Sequence, residues 1–246
     1  MDSENNDSLV GRVALVTGAA KRLGRAIALG LAKEGADVVI HHRSSPNEAR
    51  DAVAEIKGLG RKAVAIPADL RSITQIQGLF AETRAQFGKL DILVNSAANF
   101  LHSKFESTTE ELWDASLDTN LKASFFCAQA AAPLLKENRG VIINLADVGG
   151  LLGWTGYIPH CVSKAGIVMF TRVLAKELAP EVRVNAIAPG TITMPGDPPE
   201  WEANYIKLAP LRRSGLPEDV TRAVSFLIRS PFITGHVLIV DGGRTL

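Results

Sequence analysis

Short apolar runs alternate along the whole chain with longer segments that are apolar on one side only. Runs at 13–17, 37–41, 62–66, 92–94, 141–145, 183–188 and 236–240 predict β-strands. Segments near 23–34, 47–58, 72–87, 109–136, 157–178 and 217–229 predict helices. Several runs are apolar at successive positions, as in strands covered on both faces. Strand–helix repetition with short turns predicts an α/β fold, a doubly wound parallel sheet in a single domain. One stretch breaks the rhythm, residues 191–210, which carry Met194-Pro-Gly-Asp-Pro-Pro199. Pro and Gly interrupt regular structure there. The stretch follows the carboxyl end of a strand, where such sheets bind ligands, so it reads as an irregular flap over a substrate.

The chain has 246 residues, enough for one large domain over 10–246. Residues 1–9 read as a floppy polar tail, without the basic and apolar parts of a signal peptide. A net charge of +1 gives no electrostatic case for nucleic acid or a membrane surface. No apolar run approaches the length of a transmembrane helix. Cys127 and Cys161 fall in predicted helices and form neither a disulfide framework nor a metal-ligand spacing. A cytoplasmic location and no bound metal are the expectations.

Between the first strand and the first helix lies Gly18-Ala-Ala-Lys-Arg-Leu-Gly24. A glycine turn at that junction exposes backbone N–H groups at a helix N-terminus, where the helix dipole favours a phosphate. Small residues let the backbone approach a diphosphate closely. A dinucleotide site follows, with an ordinary strand-to-helix turn as the plainer reading. After the second strand, where an acid would select NAD, the chain has His42-Arg43-Ser44-Ser45. Arg43 can fork onto a 2′-phosphate, the serines can donate to it, and Lys21 and Arg22 add charge. The expected cofactor is NADPH. Asp69, beside Leu70, can accept from an adenine amino group, and Asn95 can close the floor of the nucleotide site.

Taken together, Thr17-Gly-Ala-Ala-Lys-Arg-Leu-Gly24, Asp69, Asn95-Ser96-Ala97-Ala98, Asn120, Ser163-Lys-Ala165, Pro189-Gly190 and Thr234-Gly-His-Val-Leu-Ile-Val-Asp-Gly-Gly243 resemble the short-chain dehydrogenase/reductase family over nearly the whole chain. Within it the chain looks most like the pteridine reductases. Arg22 replaces the turn's middle glycine, His42-Arg-Ser44 follows the second strand, Asp147 stands where most members have serine, and Phe100 follows the Asn95 segment. The resemblance implies a Rossmann fold, contacts from Gly18, Leu23, Gly24, Ser96, Ala97 and Lys164 to the cofactor, and Pro189, Gly190 and Ile192 beside the nicotinamide. Met194 stands where the family has threonine, and Thr193 is a possible substitute. It also implies a homotetramer built on the helices at 109–136 and 157–178 and on the C-terminal strand.

The family's reaction centre has a tyrosine four residues before a lysine. Here the lysine is Lys164, and four residues before it is His160. That spacing places both on one helix face. An imidazole titrates at about 6.5 unperturbed and can serve as a general acid without an activating lysine. The leading expectation is an Asp147–His160 pair as proton donor, with Lys164 holding the cofactor ribose and Asn120 tethering a water relay. Tyr157 is the alternative donor, since Pro159 leaves the local geometry open. A third reading is a protein that binds NADPH with little or no turnover.

Phe100, Leu151, Leu152, Trp154, Trp201 and Tyr205 are expected to wall an apolar substrate pocket, or else to fill core and interface. Phe100 can sandwich a flat ring, and Asp147 with Arg22 can meet an amino-pyrimidine edge. The expected reaction is therefore hydride transfer to a pterin-like imine. A carbonyl substrate such as a 3-oxoacyl thioester, ketone or quinone is the alternative.

Overall fold

The computed structural model describes residues 8–246, apart from the side chain of Trp201. Seven strands form one all-parallel sheet: β1 (Val13–Val16), β2 (Asp37–His42), β3 (Ala63–Pro67), β4 (Ile92–Asn95), β5 (Val141–Leu145), β6 (Arg183–Pro189) and β7 (Val237–Val240). Their order is β3-β2-β1-β4-β5-β6-β7. All seven expected strands are present, with ends shifted by a residue at most. The expected polar tail over 1–9 lies mostly outside the described residues.

Helices cover both faces of the sheet, and strand side chains alternate between them. Ala14 and Val16 join the core under α1 (Arg22–Lys33), α2 (Pro46–Gly58) and α8 (Pro217–Arg229). Val13 and Leu15 join the opposite core under α3 (Ile73–Phe87), α5 (Ala123–Glu137) and α6 (Ile158–Leu178). Burial on both faces explains why β1, β4 and β5 read as unbroken apolar runs. Local signals set several helix ends. The Ser72 hydroxyl accepts from the Gln75 amide at the start of α3, and Gly88 closes that helix at φ 74°. Pro46 and Pro217 open α2 and α8.

Two expectations change. The helix expected over 109–136 is α4 (Glu110–Leu117) and α5 joined by a π-helical turn at Asp118–Lys122. The flap is not irregular throughout, because α7 (Pro199–Leu208) lies within it. The order reverses between β1 and β4. Such a switch point opens a crevice at the carboxyl ends of the strands, and the candidate site lies there.

Candidate active site

The crevice is a cleft of about 760 Å³. One end is built on the glycine turn. Gly18 sits at φ 66°, and a Cβ there would come within 2.9 Å of the Ala97 Cα. A Cβ on Gly24 would meet the Gly18 carbonyl oxygen at 2.4 Å. Both positions therefore need glycine for the turn to close. Lys21 precedes α1 without capping it by its side chain, so the first amides of that helix stay open toward the cleft. Thr17 ties the turn to the strand beside it: its hydroxyl accepts from the amides of Ser96 and Ala97 at 2.9 and 3.0 Å. An open helix N-terminus with small residues beneath fits a nucleotide diphosphate.

Beyond the turn, Lys21, Arg22, Leu23, His42, Arg43, Ser44, Ser45, Asp69, Leu70, Ser96 and Ala97 line the cleft. Arg43 makes no ion pair among the described residues. Lys21 is paired with Glu48 at 2.7 Å. Asp69 is clamped by the Arg71 guanidinium at 2.5 Å, which holds its carboxyl down at about 2. Asn95 does not face the cleft. It is buried and donates to Asn144 Oδ1 at 2.9 Å, bracing β4 against β5 from beneath.

At the other end, Asp147 follows β5, while His160 and Lys164 stand on α6. Lys164 is buried and donates to the Leu145 carbonyl at 2.7 Å. Burial pushes its ammonium down to about 8, against the opposing pull of Asp147. His160 is 3% exposed. Its Nδ1 lies 3.3 Å from the Asn99 carbonyl oxygen, and its Nε2 lies 3.7 Å from Asp147 Oδ2. That Nε2 is buried without a hydrogen-bond partner. Asp147 uses its other oxygen to accept from the Gly149 amide at 2.6 Å. Two aromatic neighbours fix the imidazole plane: Phe100 edge-on at 4.7 Å and Trp154 parallel at 6.2 Å.

Asn120, expected to tether a water relay, makes its protein contacts around the loop at Asn99. Asn120 sits buried in the π-helical turn. Its carbonyl accepts from the Ser124 hydroxyl at 3.0 Å. Its side chain accepts from the Asn99 amide at 2.8 Å and donates to the Asn99 carbonyl and to Ser163 Oγ. Asn120 therefore holds the loop whose carbonyl meets His160.

Several expected residues fall outside the cleft wall. Tyr157 does not swing in: it stacks on Phe100 at 4.4 Å, just before α6 begins. Tyr205 is buried under Gly190 with its hydroxyl on the Asp241 carbonyl. Thr193 donates to Ser214 Oγ at 2.8 Å, and Met194 takes the place at the wall. Leu151 and Leu152 do not line the cleft, and Trp154 stands behind His160. The Trp201 side chain lies outside the described residues. Phe100, Pro189, Gly190 and Ile192 line the cleft.

Residues 18–245 match the family described as enoyl-(acyl carrier protein) reductase. A 3-oxoacyl-[acyl-carrier-protein] reductase of Synechocystis sp. is 37% identical over 97% of this chain and 99% of its own length. The chain belongs to the short-chain dehydrogenase/reductase family. Family structures superpose closely. A 7α-hydroxysteroid dehydrogenase complexed with NADH and 7-oxo glycochenodeoxycholic acid has a TM-score of 0.93 at 30% identity, covering 99% of this chain and 98% of that one. A blue fluorescent protein from a metagenomic library, in complex with NADPH, has a TM-score of 0.91 at 31% identity, covering 97% and 100%. Sequence reasoning missed His41, Arg71 and Asn99 in the cleft wall, and Asp197, which pairs with the cleft residue Arg22. Arg71, two residues after Asp69, was within reach of a charge-pairing argument. The others act through contacts distant in sequence.

Proposed function

We propose that the protein is an NADPH-dependent carbonyl reductase that uses His160 as its proton donor. The carrying observation is the setting of that imidazole. Nδ1 faces the Asn99 carbonyl at 3.3 Å, while Nε2, 3.7 Å from the Asp147 carboxylate, has no hydrogen-bond partner and is left for a substrate oxygen. The lysine sits one turn along the same helix.

NADPH would supply the hydride. The glycine turn with Gly18, Leu23 and Gly24 would hold its diphosphate, and His42, Arg43, Ser44 and Ser45 its 2′-phosphate. Asp69 and Leu70 would meet the adenine, Lys164 the ribose hydroxyls, and Pro189, Gly190 and Ile192 the nicotinamide side. As the substrate carbon takes up hydride, its oxygen gains negative charge. His160 Nε2–H donates to that oxygen, and solvent reprotonates the ring. Asn99 and Asn120 keep Nδ1 facing a carbonyl throughout.

The 37% identity to a 3-oxoacyl reductase supports a carbonyl substrate over the pterin-like imine expected from the sequence. Arg22, assigned there to a pterin edge, is occupied by Asp197 at 2.7 Å. Phe100 and the second oxygen of Asp147 still offer a surface for a flat amino-pyrimidine, which keeps that class in the test. An assay of NADPH and NADH oxidation with acetoacetyl thioesters, steroid ketones, dihydrobiopterin and dihydrofolate decides. Turnover is expected with NADPH and a carbonyl substrate. His160→Phe is expected to abolish it with NADPH binding retained, and Tyr157→Phe to preserve it. Tight NADPH binding with no oxidation across the panel would instead favour a non-catalytic cofactor-binding protein. The assembly proposed with this reading is a homotetramer, its contact faces including the exposed apolar side of α5 and α6.

A further inference from the structure

We infer that His41 is a positioning residue for the cofactor: one residue at the end of β2 holds the first two amides of the glycine turn and thereby aims the amides that follow. The Gly18 amide donates to His41 Nδ1 at 3.0 Å. The Ala19 amide donates to the His41 carbonyl at 2.9 Å. His41 Nε2 lies 3.0 Å from the Ala68 carbonyl oxygen, at the end of β3. The Ala68 amide in turn donates to the His42 carbonyl at 3.0 Å. The turn is thus fastened on both sides, by Thr17 toward β4 and by His41 toward β2 and β3.

These partners fix the ring's tautomer. A backbone N–H needs a lone pair on Nδ1, so the proton resides on Nε2 and donates to Ala68. The side chain is 2% exposed, and both its polar atoms are satisfied. Burial pushes the imidazole down to about 4; adjacent His42 lowers it further, while the Ala68 carbonyl and Asp69 act in the opposite direction. A neutral ring is what the brace requires, because a proton on Nδ1 would face the Gly18 N–H. With Gly18 and Ala19 turned inward, the amides that remain for an anion are those entering α1. The inference rests on the reading that this turn holds the dinucleotide diphosphate.

The test compares wild type with His41→Asn, His41→Gln and His41→Phe. Asn keeps an acceptor at the δ position facing Gly18, Gln moves the amide to the ε position, and Phe keeps bulk alone. Fluorescence titration with NADPH should show about tenfold weaker binding for His41→Phe, the scale of the lost hydrogen bond to the Gly18 amide. His41→Asn should bind more tightly than His41→Gln, and kcat at saturating NADPH should stay near wild type for all that fold. Nitrogen-15 NMR of the free wild-type protein should show the Nε2–H tautomer at neutral pH. Equal NADPH affinities across the variants, loss confined to kcat, or an Nδ1–H tautomer would overturn the inference. Should His41→Phe not fold, the order of Asn and Gln decides. Absence of saturable NADPH binding by wild type would instead remove the cofactor reading itself, and the inferred role with it.

Discussion

Lys164 carries its ammonium below the surface, where the Leu145 carbonyl is its hydrogen-bond acceptor. Desolvation disfavours the charged form and pushes the ammonium down to about 8. An unfolded lysine titrates at about 10.4. Between those values the unfolded chain binds the proton and the folded one does not, so stability rises with pH. Below pH 8 the full cost of the buried charge is present. Denaturant unfolding at pH 7.5 and pH 10 should therefore move the difference between wild type and Lys164→Met in favour of wild type, by about 3 kcal/mol at most. A difference independent of pH would show that Lys164 keeps its proton throughout. Residue-level placement was legible where spacing along one helix carried it, as for His160 and Lys164 on α6. It was not legible for His41, because a histidine ending an apolar run looks like a strand boundary. Its partner Gly18 is 23 positions away and comes close only when β1 and β2 pair. Asn99 escaped for the same reason, since its carbonyl meets an imidazole 61 residues later.

Among the elements, the flap is tied to the cofactor turn. Arg22 occupies a left-handed backbone conformation at φ 52° and forks onto Asp197 at 2.7 and 3.1 Å. This pair holds the Asp197 carboxyl below the usual carboxylate range. Asp197 also accepts from the Met194 amide at 2.9 Å, so one carboxylate ties the start of the flap both to itself and to the turn. The Arg22 side chain is 56% exposed, so solvent screens the pair and its contribution is about 1 kcal/mol or less. Asp197→Ala should then leave the melting temperature nearly unchanged while limited proteolysis within 191–210 quickens severalfold. Cleavage at the wild-type rate would show that the flap is held elsewhere. The same segment shows where pattern reading ends. Strands buried on both faces and helices with one apolar side announced themselves. Clustered prolines and glycine concealed α7, although Pro199 at its first position is where a helix tolerates proline. The π-helical turn at Asn120 was not foreseen either, because the residue it admits carries no composition signal of its own.

At the scale of the whole molecule, the sheet sets the cleft and the helices set the outer faces. Most apolar side chains of α5 and α6 face the core. A second set faces out: Phe125 on α5, and Val162, Met169 and Val173 along α6, at 44, 42, 56 and 50% exposure. Phe125 packs beside Phe170 at 5.8 Å, so the two helices present one continuous apolar strip. Monomers seldom leave such a strip in water, and closed symmetric assemblies cover it with the same strip of a second copy. A two-fold axis through α6 would bring Met169 and Val173 of two copies together. Replacing both by aspartate would bury carboxylates without partners, at a cost of several kcal/mol per interface. Light scattering behind size exclusion should find wild type as a tetramer and Met169→Asp/Val173→Asp as a smaller species. None of Phe125, Val162, Met169 and Val173 lines the cleft, so the smaller species should still bind NADPH with affinity close to wild type. A monomeric wild type, or a double variant of unchanged mass, would mean that the strip has some other cover.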